Sequence, residues 1–550
     1  MNPVRNTSGG KWRNTVRKNS IINKTISNGV KILLVYPKFP ETFWSFKYAL
    51  KFISKKAGNP PLGLLTVASI LPKEWDKKLV DMNVTSLKDK DLKWADFVFI
   101  SAMAIQKESV KGIISRCKTM GIKIVAGGPL FASNYDEFEE ADHLVLNEAE
   151  ITLPLFLEDL KNGCAKHIYS VRDNPDRQDN GRPQQPISNG VYTSSQWADI
   201  KKTPIPSWEL VNMKKYATMN IQYSRGCPFN CEFCDITLLY GHKPRTKDKD
   251  QILAELESLY LQGWGRGVFF VDDNFIGNKA KLKNEVLPAL AKWMKQRRYP
   301  FVFTTQASIN LSDDEELMRL MVQAGFHTVF VGIETPNEES LEECSKFQNK
   351  NRDLIGCVKK IQTFGLQVEG GFIVGFDNDP FSIFERQIEF IQKSKIVTAM
   401  VGLLNAPRGT KLYQRLKKEN RLLKNPSGDN TDFSINFIPK MNYEILINGY
   451  KRIIDGIYSP KSYYERVKGF LKEYKPLEKL HFHFGYIRFH FGYPGAFFKS
   501  LWFLGIKDKA RVYYWKLFFW AFFKRPRLFP LALTYAIYGY HFRKFYEKYL

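Results

Sequence analysis

The residues best suited to chemistry are three cysteines, Cys227, Cys231 and Cys234, in the run Gly-Cys-Pro-Phe-Asn-Cys-Glu-Phe-Cys-Asp. Their CxxxCxxC spacing is typical of a loop that holds an iron-sulfur cluster. A cubane 4Fe-4S cluster has four irons, and an electron-transfer cluster normally takes four thiolates, so three cysteines leave one iron open. The loop is therefore predicted to hold a cluster whose open iron binds an outside ligand.

A structural zinc ion is the alternative occupant of this loop, because zinc also binds clustered thiolates. Zinc motifs usually pair two CxxC knuckles and need a fourth ligand, for which His242 is the only nearby candidate. The other four cysteines, at positions 117, 164, 344 and 357, stand singly and form no second motif. We expect them to be core or surface residues of a protein in a reducing compartment.

Alternating strand and helix patterns surround the cysteine loop. One strand reaches the loop near residue 221, and the apolar pattern predicts five more, over 267–271, 302–306, 328–333, 367–374 and 398–403. Helical periodicity lies between them, over 250–262, 279–297, 313–323 and 355–364. Such a pattern predicts a partial TIM-like (β/α)6 barrel, whose active site lies at the carboxyl ends of the strands. Polar residues follow or end three of these strands: Asp272, Asp273, Asn274, Gln306 and Glu334.

Three segments resemble the radical S-adenosylmethionine (SAM) enzymes: Ser-Arg-Gly-Cys-Pro-Phe, Val-Asp-Asp-Asn-Phe and Gly-Phe-Ile-Val-Gly-Phe-Asp. Among these enzymes they look most like hopanoid methylases and archaeal tetraether-lipid ring synthases, and both of those groups act on lipids. The resemblance implies that the open iron is chelated by the amino and carboxylate groups of SAM. The cluster cysteines would then be the catalytic centre.

The same resemblance implies the SAM contacts. Asp272, Asp273 and Asn274 would recognise the SAM amino group, and Gln306 and Glu334 would face its methionyl or ribose part. The ring of Phe233 would stack on the adenine, and Gly371 and Gly375 would permit close approach of the backbone on the adenine side.

Strands over 30–37, 96–101 and 122–128, with helices over 62–71 and 109–120, predict a doubly wound α/β domain before the barrel. It resembles the cobalamin-binding domain of a large class of radical SAM enzymes. Asn83 stands where many cobalamin domains have a cobalt-binding histidine, so the cobalt would lack a protein imidazole. The cofactor would also contact Ser101, Gly127, Gly128 and Glu148. The alternative is a doubly wound scaffold without a cofactor, since glycine pairs after strands are common in turns.

The 550 residues carry 82 Lys and Arg against 56 Asp and Glu, a net charge of +26. We predict a disordered basic tail over 1–28 without a secretory signal, a cobalamin-binding-like domain over 29–170 and a linker over 171–212. The barrel would span 213–404, followed by an accessory helical region over 405–475. Residues 476–550 are dense in Phe, Tyr and Trp interleaved with Lys, Arg and His, and nearly lack acidic residues.

This C-terminal composition is typical of a membrane interface, because aromatic rings favour the headgroup level and basic side chains favour anionic lipid. Its apolar runs fall short of the ~20 residues that a bilayer crossing requires, so helices on the membrane surface are predicted. Two alternatives remain: RNA binding, although no nucleic-acid fold signature is present, and a helical domain that packs its aromatics on the barrel. We expect no nucleic-acid partner, and a cytoplasmic enzyme peripheral to the inner face of the membrane.

The sequence thus predicts a radical SAM enzyme with a 4Fe-4S cluster, SAM and cobalamin. It would methylate an unactivated carbon of a hydrophobic, lipid-like substrate and take electrons from a reductase, flavodoxin or ferredoxin. One alternative is radical carbon-carbon bond formation or cyclisation on a lipid without methyl transfer. Another is a membrane-associated metal-binding protein without catalysis.

Overall fold

The computed structural model describes residues 29–171, 197–423, 427–429, 431–475 and 494–548. These residues form two compact units. The first contains the described residues up to Lys38 together with Gly63–Leu210. The second contains Phe39–Leu62 and the described residues from Val211 onward. The predicted basic tail, most of the predicted linker and residues 476–493 lie outside the described residues.

The first unit is built on a parallel sheet of six strands in the order β2-β1-β3-β4-β5-β6. The strands are β1 Lys31–Tyr36, β2 Asp76–Asp81, β3 Phe97–Ser101, β4 Lys123–Gly127, β5 His143–Val145 and β6 Ile168–Tyr169. Four successive residues of β1 are buried, as expected when both faces of a parallel sheet are covered. The doubly wound prediction is confirmed.

Helices follow most of these strands. They are α1 Leu62–Ile70, α2 Asp89–Trp94, α3 Lys107–Thr119, α4 Pro129–Asn134 and α5 Ala149–Lys161. Val110, Ile113, Ile114 and Cys117 form the buried stripe of α3, whose i, i+3, i+4, i+7 spacing is that of an amphipathic helix. Cys117 is therefore a core residue, as predicted.

The second unit contains six parallel strands in the order β14-β13-β12-β11-β10-β7, which confirms the predicted partial barrel. They are β7 Met219–Ile221, β10 Gly267–Phe270, β11 Val302–Ala307, β12 Phe326–Glu334, β13 Gln367–Val374 and β14 Ala399–Leu403. A short antiparallel pair, β8 Ser224–Arg225 and β9 Arg245–Thr246, closes the segment that contains the three cysteines.

Helices alternate with the strands of this unit, and most of them pack on the outer face of the six-stranded sheet. They are α6 Ile236–Tyr240, α7 Lys249–Leu261, α8 Leu287–Gln296, α9 Glu315–Ala324, α10 Glu338–Glu343, α11 Leu354–Thr363 and α12 Ile383–Ser394. Val329, Val331 and Ile333 of β12 are fully buried beneath them, whereas Thr328 and Phe330 on the inner face are half-buried. The alternation follows from the two-residue period of a strand and leaves the inner face more accessible than the outer one.

The segment Phe39–Leu62 departs from the predicted boundary, because it belongs to the second unit and not to the first. It includes the helical turns Phe43–Ser45 and Lys47–Leu50. The ring of Phe43 stacks on that of Phe542 with 4.5 Å between centroids, and the Phe43 carbonyl oxygen lies 2.9 Å from His541 Nε2. Aromatic residues near both ends of the chain thus share one core.

The C-terminal helices are α13 Lys411–Lys418, α14 Tyr443–Tyr458, α15 Pro460–Glu473, α16 Pro494–Trp502, α17 Arg511–Lys524 and α18 Phe529–Tyr546. Tyr535 of α18 is buried and its hydroxyl donates to Gln367 Oε1 of β13 at 2.6 Å. Helix α18 is therefore part of the barrel unit's core. In the part of the chain that the structure describes, no helix is both long enough and apolar enough to cross a bilayer.

Candidate functional site

The three cysteines lie in one loop that follows β8 and ends at α6. All three are free thiols and half-buried. Burial raises the pKa of Cys227, and the neighbouring Cys231 raises it further; burial also raises the pKa of Cys234. The backbone N–H groups of Phe229 and Ile236 donate to Cys227 and Cys234. Three thiols in one loop, two of which receive backbone hydrogen bonds, fit the needs of cluster-bound thiolates.

The zinc alternative depends on a fourth ligand. His242 is exposed, and among the described residues no three His, Cys, Asp or Glu side chains are close enough to bind a single metal ion. A cubane cluster keeps its thiolate ligands farther apart than a single ion does, so three separated cysteines are compatible with it.

Glu232, between Cys231 and Phe233, forms hydrogen bonds through its backbone N–H, its carbonyl and its carboxylate. Its N–H donates to the Cys344 carbonyl at 2.9 Å, and its carbonyl accepts from Leu412 N–H at 3.0 Å. Its carboxylate receives two hydrogen bonds from Arg415, at 2.8 and 3.0 Å. A bidentate guanidinium-carboxylate pair is strong and directional. Helix α13 therefore holds the centre of the cysteine loop in place.

A second loop, over 344–351, covers the cysteine loop. Gln348 Nε2 lies 3.7 Å from the Cys231 sulfur. The Lys346 ammonium pairs with Glu334 Oε1 at 2.7 Å, and both side chains are nearly buried. Burial lowers the pKa of Lys346, but the charges of Glu334 and Cys231 outweigh burial and raise that pKa. A Cβ on Gly332 would lie 2.4 Å from Glu334, so glycine is needed beneath this ion pair.

Glu334 has a positive φ of 64°, a conformation that is uncommon for a residue with a side chain. It ends β12, and the bulge there turns its carboxylate toward Lys346. Strained backbone of this kind is often found at functional sites. The predicted SAM residue Glu334 thus stands in a buried ion pair close to the cysteines.

The three residues that follow β10 differ in their surroundings. Asp272 is fully buried and accepts from Tyr223 N–H, Ser224 N–H and Ser224 Oγ, so its carboxylate fixes the approach to the cysteine loop. Burial raises the pKa of Asp272 to about 7. Asn274 is also buried and exchanges hydrogen bonds with Ser308. Asp273 is half-buried and, among the described residues, its carboxylate accepts from Gly226 N–H at 3.4 Å.

The other predicted SAM residues lie around the same end of the barrel. Gln306 is half-buried on β11, and the ring of Phe233 lies 6.3 Å from that of Phe376. Gly375 has a φ of +105°, and its N–H donates to Asp379 Oδ2 at 2.8 Å. Gly371 has a local role, because a Cβ there would lie 2.7 Å from the Phe330 ring.

In the first unit, Asn83 lies in the loop after β2. Its side-chain amide donates to Asp81 Oδ1 at 2.8 Å and to the Pro37 carbonyl at 3.2 Å. The Asn83 side chain is thus directed back onto its own loops. The two described histidines of this unit, His143 and His167, lie at or just before the amino ends of β5 and β6, away from this edge.

Ser101, Gly127 and Gly128 lie together at the carboxyl ends of β3 and β4. A Cβ on Gly128 would lie 2.5 Å from Ser101 Oγ, and one on Gly127 would lie 2.6 Å from the Val145 carbonyl. Both glycines are therefore required by packing within the unit. Glu148 is buried and accepts from Ala198 N–H at 2.8 Å, which ties down the chain after the sheet.

Sequence reasoning missed Lys346, Gln348 and Arg415. Lys346 and Arg415 stand more than a hundred residues after the cysteines, outside the three segments of resemblance. Arg415 also pairs with Asp377 at 2.8 Å and with Glu343 at 3.2 Å, so it links four separate segments. Only their tertiary positions show that these side chains serve the cysteine loop.

Comparison with known proteins agrees with this geometry. Residues 221–391 match the Radical SAM superfamily, and residues 410–550 match a domain of unknown function, DUF4070. The chain is 40% identical over 522 residues to an uncharacterized methyltransferase of Synechocystis sp., covering 94% of this chain and 92% of that relative. It is 33% identical over 437 residues to the hopanoid C-2 methylase of Rhodopseudomonas palustris, covering 79% and 78%.

A solved structure with a similar fold is that of OxsB, a cobalamin-dependent SAM radical enzyme, with aqua-cobalamin and SAM bound. The TM-score is 0.58 at 16% identity, with 94% of this chain and 79% of OxsB covered. That likeness concerns the fold, whereas the two relatives agree in sequence over most of their length. The chain therefore belongs to the radical SAM methyltransferase family of these two relatives.

Proposed function

We propose that this enzyme transfers a methyl group to an unactivated carbon of a hydrophobic, lipid-like substrate. The observation that carries the proposal is the half-buried three-cysteine loop at the carboxyl end of the barrel, in a chain whose relatives are named methyltransferases. When bound, the cluster supplies the electron that cleaves SAM, and the corrinoid supplies the methyl group. The protein's own residues bind, orient and shield these partners.

Cys227, Cys231 and Cys234 would hold the cluster, and Arg415 would keep their loop rigid through Glu232. For the SAM amino group, Asp273 is the best-placed carboxylate of its strand end, because Asp272 is already occupied by Tyr223 and Ser224. The Lys346 ammonium, next to Cys231, would attract the SAM carboxylate.

The corrinoid would bind at the carboxyl edge of the first unit's sheet, where doubly wound domains bind ligands. Asn83, Ser101, Gly127 and Gly128 lie at this edge. Amide and hydroxyl groups suit the amide-rich periphery of a corrin ring. Because the Asn83 side chain is directed toward Asp81 and Pro37, the cobalt would have no protein ligand from this position.

A lipid-like substrate is supported by the relative that methylates hopanoids and by an aromatic surface on α16, on α17 and on residues 503–507 between them. That surface consists of exposed apolar side chains: Phe498 67%, Trp502 51%, Ile506 55%, Phe519 52%, Phe522 52% and Phe523 72%. Exposed Lys507, Lys509 and Lys516 border it. A large apolar patch rimmed by basic side chains favours an anionic membrane surface, on which the enzyme would meet its substrate.

The decisive experiment is anaerobic turnover of the protein, with reconstituted cluster and bound corrinoid, on an added triterpene lipid with methyl-deuterated SAM and with dithionite as reductant. We expect 5'-deoxyadenosine together with a deuterated methyl group in a triterpene lipid, both detected by mass spectrometry. Deoxyadenosine with a rearranged or coupled lipid that carries no label would instead favour cyclisation. No deoxyadenosine from a fully loaded cluster would refute the proposal.

Sedimentation with vesicles tests the membrane surface. Wild type should bind vesicles of anionic lipid, and the variant W502E/F519E should lose ~10-fold or more of that binding, because charged side chains oppose interfacial burial. Leu261 is 75% exposed on α7, outside the aromatic surface, so Leu261→Glu is the matched control. Equal loss in the control, or no loss in the double variant, would contradict membrane docking through this surface.

A further inference from the structure

The inner face of the barrel contains a carboxylate, that of Glu369, to which the description of the site has given no role. Glu369 lies on β13 between Val368 and Gly370. The ring of Phe372 packs 5.7 Å from Phe390 of α12, so even-numbered positions of β13 face the helices. Glu369 and Gly371 therefore face the barrel interior, in agreement with the closeness of Gly371 to the Phe330 ring.

The register of the sheet places three inner residues side by side. Gln306 of β11 pairs with Phe330 of β12, and Phe330 pairs with Glu369 of β13. All three side chains are half-buried. Phe269, next to the end of β10, pairs with Thr304, which lies two residues before Gln306. This level of the barrel is thus next to the strand end from which Asp273 emerges.

Aromatic rings enclose this level. Trp44, from the segment that joins the second unit, lies 5.5 Å from Phe330 and 6.1 Å from Phe46 between ring centroids. Phe46 lies 5.0 Å from Tyr538 of α18. Glu369 is close enough to Tyr538 that its charge adds to burial in raising the pKa of that phenol. We call Trp44, Gln306, Phe330, Glu369 and Tyr538 the barrel chamber.

The polar groups of the barrel chamber are available for a ligand. Within the described residues, nothing donates a hydrogen bond or forms an ion pair with the Glu369 carboxylate, and the Gln306 amide and Tyr538 hydroxyl likewise have no hydrogen-bond partner. Trp44 is 41% exposed although it contacts Phe330. These three side chains are half-buried. Because no described protein group pairs with them, their hydrogen-bonding capacity is open to a molecule that enters beside the exposed Trp44.

We propose that the barrel chamber binds the substrate, with the apolar body against Trp44 and Phe330 and with a hydroxyl or amino group of the substrate donating to Glu369. This inference rests on the proposed function and narrows its substrate class to extended apolar molecules that bear one hydrogen-bond donor. Selection arises because a hydrocarbon would cover Glu369 without donating a hydrogen bond to its carboxylate.

The protonation state of Glu369 should affect the binding of a substrate alcohol and of a substrate amine differently. Burial raises the pKa of Glu369 to about 7. An alcohol donates to the carboxyl group in either protonation state, whereas an ammonium group gains an ion pair only with the ionised form. Binding of an amine should therefore strengthen as the pH rises through about 7, and binding of the alcohol should change less.

The test uses a pentacyclic triterpene alcohol, the corresponding primary amine and the parent hydrocarbon as probes. Two variants of the full-length protein are compared with wild type. Glu369→Leu removes the hydrogen-bond acceptor, and Glu369→Gln keeps an acceptor without charge. Glu389 is exposed on α12 and pairs with Lys393, so Glu389→Leu and Glu389→Gln are the matched controls. Binding of each radiolabelled probe is measured by equilibrium dialysis from cyclodextrin, and methyl transfer is measured in competition between alcohol and hydrocarbon.

Wild type should bind the alcohol at least ~10-fold more tightly than the hydrocarbon. Glu369→Leu should abolish this preference, while Glu369→Gln should keep it for the alcohol and lose it for the amine. An unchanged preference in Glu369→Leu, or no binding of the alcohol by wild type, would overturn the inference.

The dialysis result does not depend on turnover, so it separates this inference from the proposed function. Tight and Glu369-dependent binding of the alcohol, without label transfer from SAM, would support the chamber and refute methylation of this probe. Label transfer with the same alcohol-to-hydrocarbon ratio in wild type and Glu369→Leu would support methylation and refute the chamber.

Discussion

The two parallel sheets of this protein end in edges of different chemistry. At the barrel edge, buried or half-buried carboxylates pair with cations: Glu334 with Lys346, Glu232 with Arg415, and Asp377 with Arg415 and Arg421. At the edge of the first unit's sheet, Asp81 and Glu148 accept hydrogen bonds from the neutral N–H groups of Asn83 and Ala198.

The difference indicates what each edge is built to hold. Charged partners fix the loops around the cysteines and can respond to a charged ligand such as SAM. Backbone N–H groups hold the loops of the other edge, as those of Asn83 and Ala198 do. Loss of one charge at the barrel edge should therefore have a larger effect than loss of one amide at the other edge.

The largest effect is expected from Cys231→Ala. Removal of one of three thiolates should bring bound iron, 5'-deoxyadenosine formation and methylated product below detection together. Iron analysis and mass spectrometry measure all three. Cys164 is exposed in the first unit, so Cys164→Ala should match wild type. SAM cleavage retained by Cys231→Ala would end the assignment of this loop as the cluster site.

Lys346→Met comes next. It leaves Glu334 buried without its cation, and breaking a buried pair in this way costs several kcal/mol locally. We expect SAM to bind ~10 to 100-fold more weakly to the reconstituted enzyme, measured by equilibrium dialysis, with iron content maintained. Lys350→Met removes a more exposed pair with Glu342 and should change SAM binding little. Unchanged affinity in Lys346→Met would place SAM elsewhere.

Arg415→Ala should act on the cluster through Glu232. Loss of the bidentate pair loosens the cysteine loop, so release of iron to a chelator should be ~10-fold faster, with the chelator's absorbance as the readout. Arg352 also forms a bidentate pair, with Asp313 and at a more exposed site, which makes Arg352→Ala the control. Equal rates in the two variants would show that Arg415 does not stabilise the loop.

Asn83→Ala should have the smallest effect. It removes the hydrogen bonds from the Asn83 side chain to Asp81 and Pro37, each worth about 1 kcal/mol. Because these bonds join loops of the protein to each other, corrinoid affinity should stay within ~5-fold of wild type. Asn83→His restores the ligand type of other cobalamin domains and should shift the visible spectrum of a bound corrinoid. Complete loss of corrinoid in Asn83→Ala would show that this side chain acts on the cofactor and not only on its own loops.

Much of the fold could be predicted from local pattern. The apolar runs of β13 and β14 and the periodicity of α7 predicted the strands and helices of the barrel to within one or two residues. The cysteine spacing predicted the cluster loop. Patterns of this kind are local, because a strand or helix shows its period within its own residues.

Tertiary packing between distant segments could not be predicted from local pattern. Two stretches of similar aromatic composition have different surroundings: Tyr535 and Phe542 of α18 are buried, whereas Phe519 and Phe523 of α17 are exposed. Composition does not distinguish them, since the difference depends on which surfaces the fold leaves to cover. The same reason explains why Phe43 was assigned to the wrong unit and why Glu369 was not singled out.

The sequence by itself determined the chemistry and the layered α/β architecture of this protein, because cysteine spacing and strand periodicity are written within short segments. Tertiary structure alone decided which charges stand beside Cys231, which aromatic rings enclose Glu369 and which apolar side chains remain exposed. Those outcomes depend on residues that are hundreds of positions apart, and only the packing of strands and helices brings them within a few ångströms.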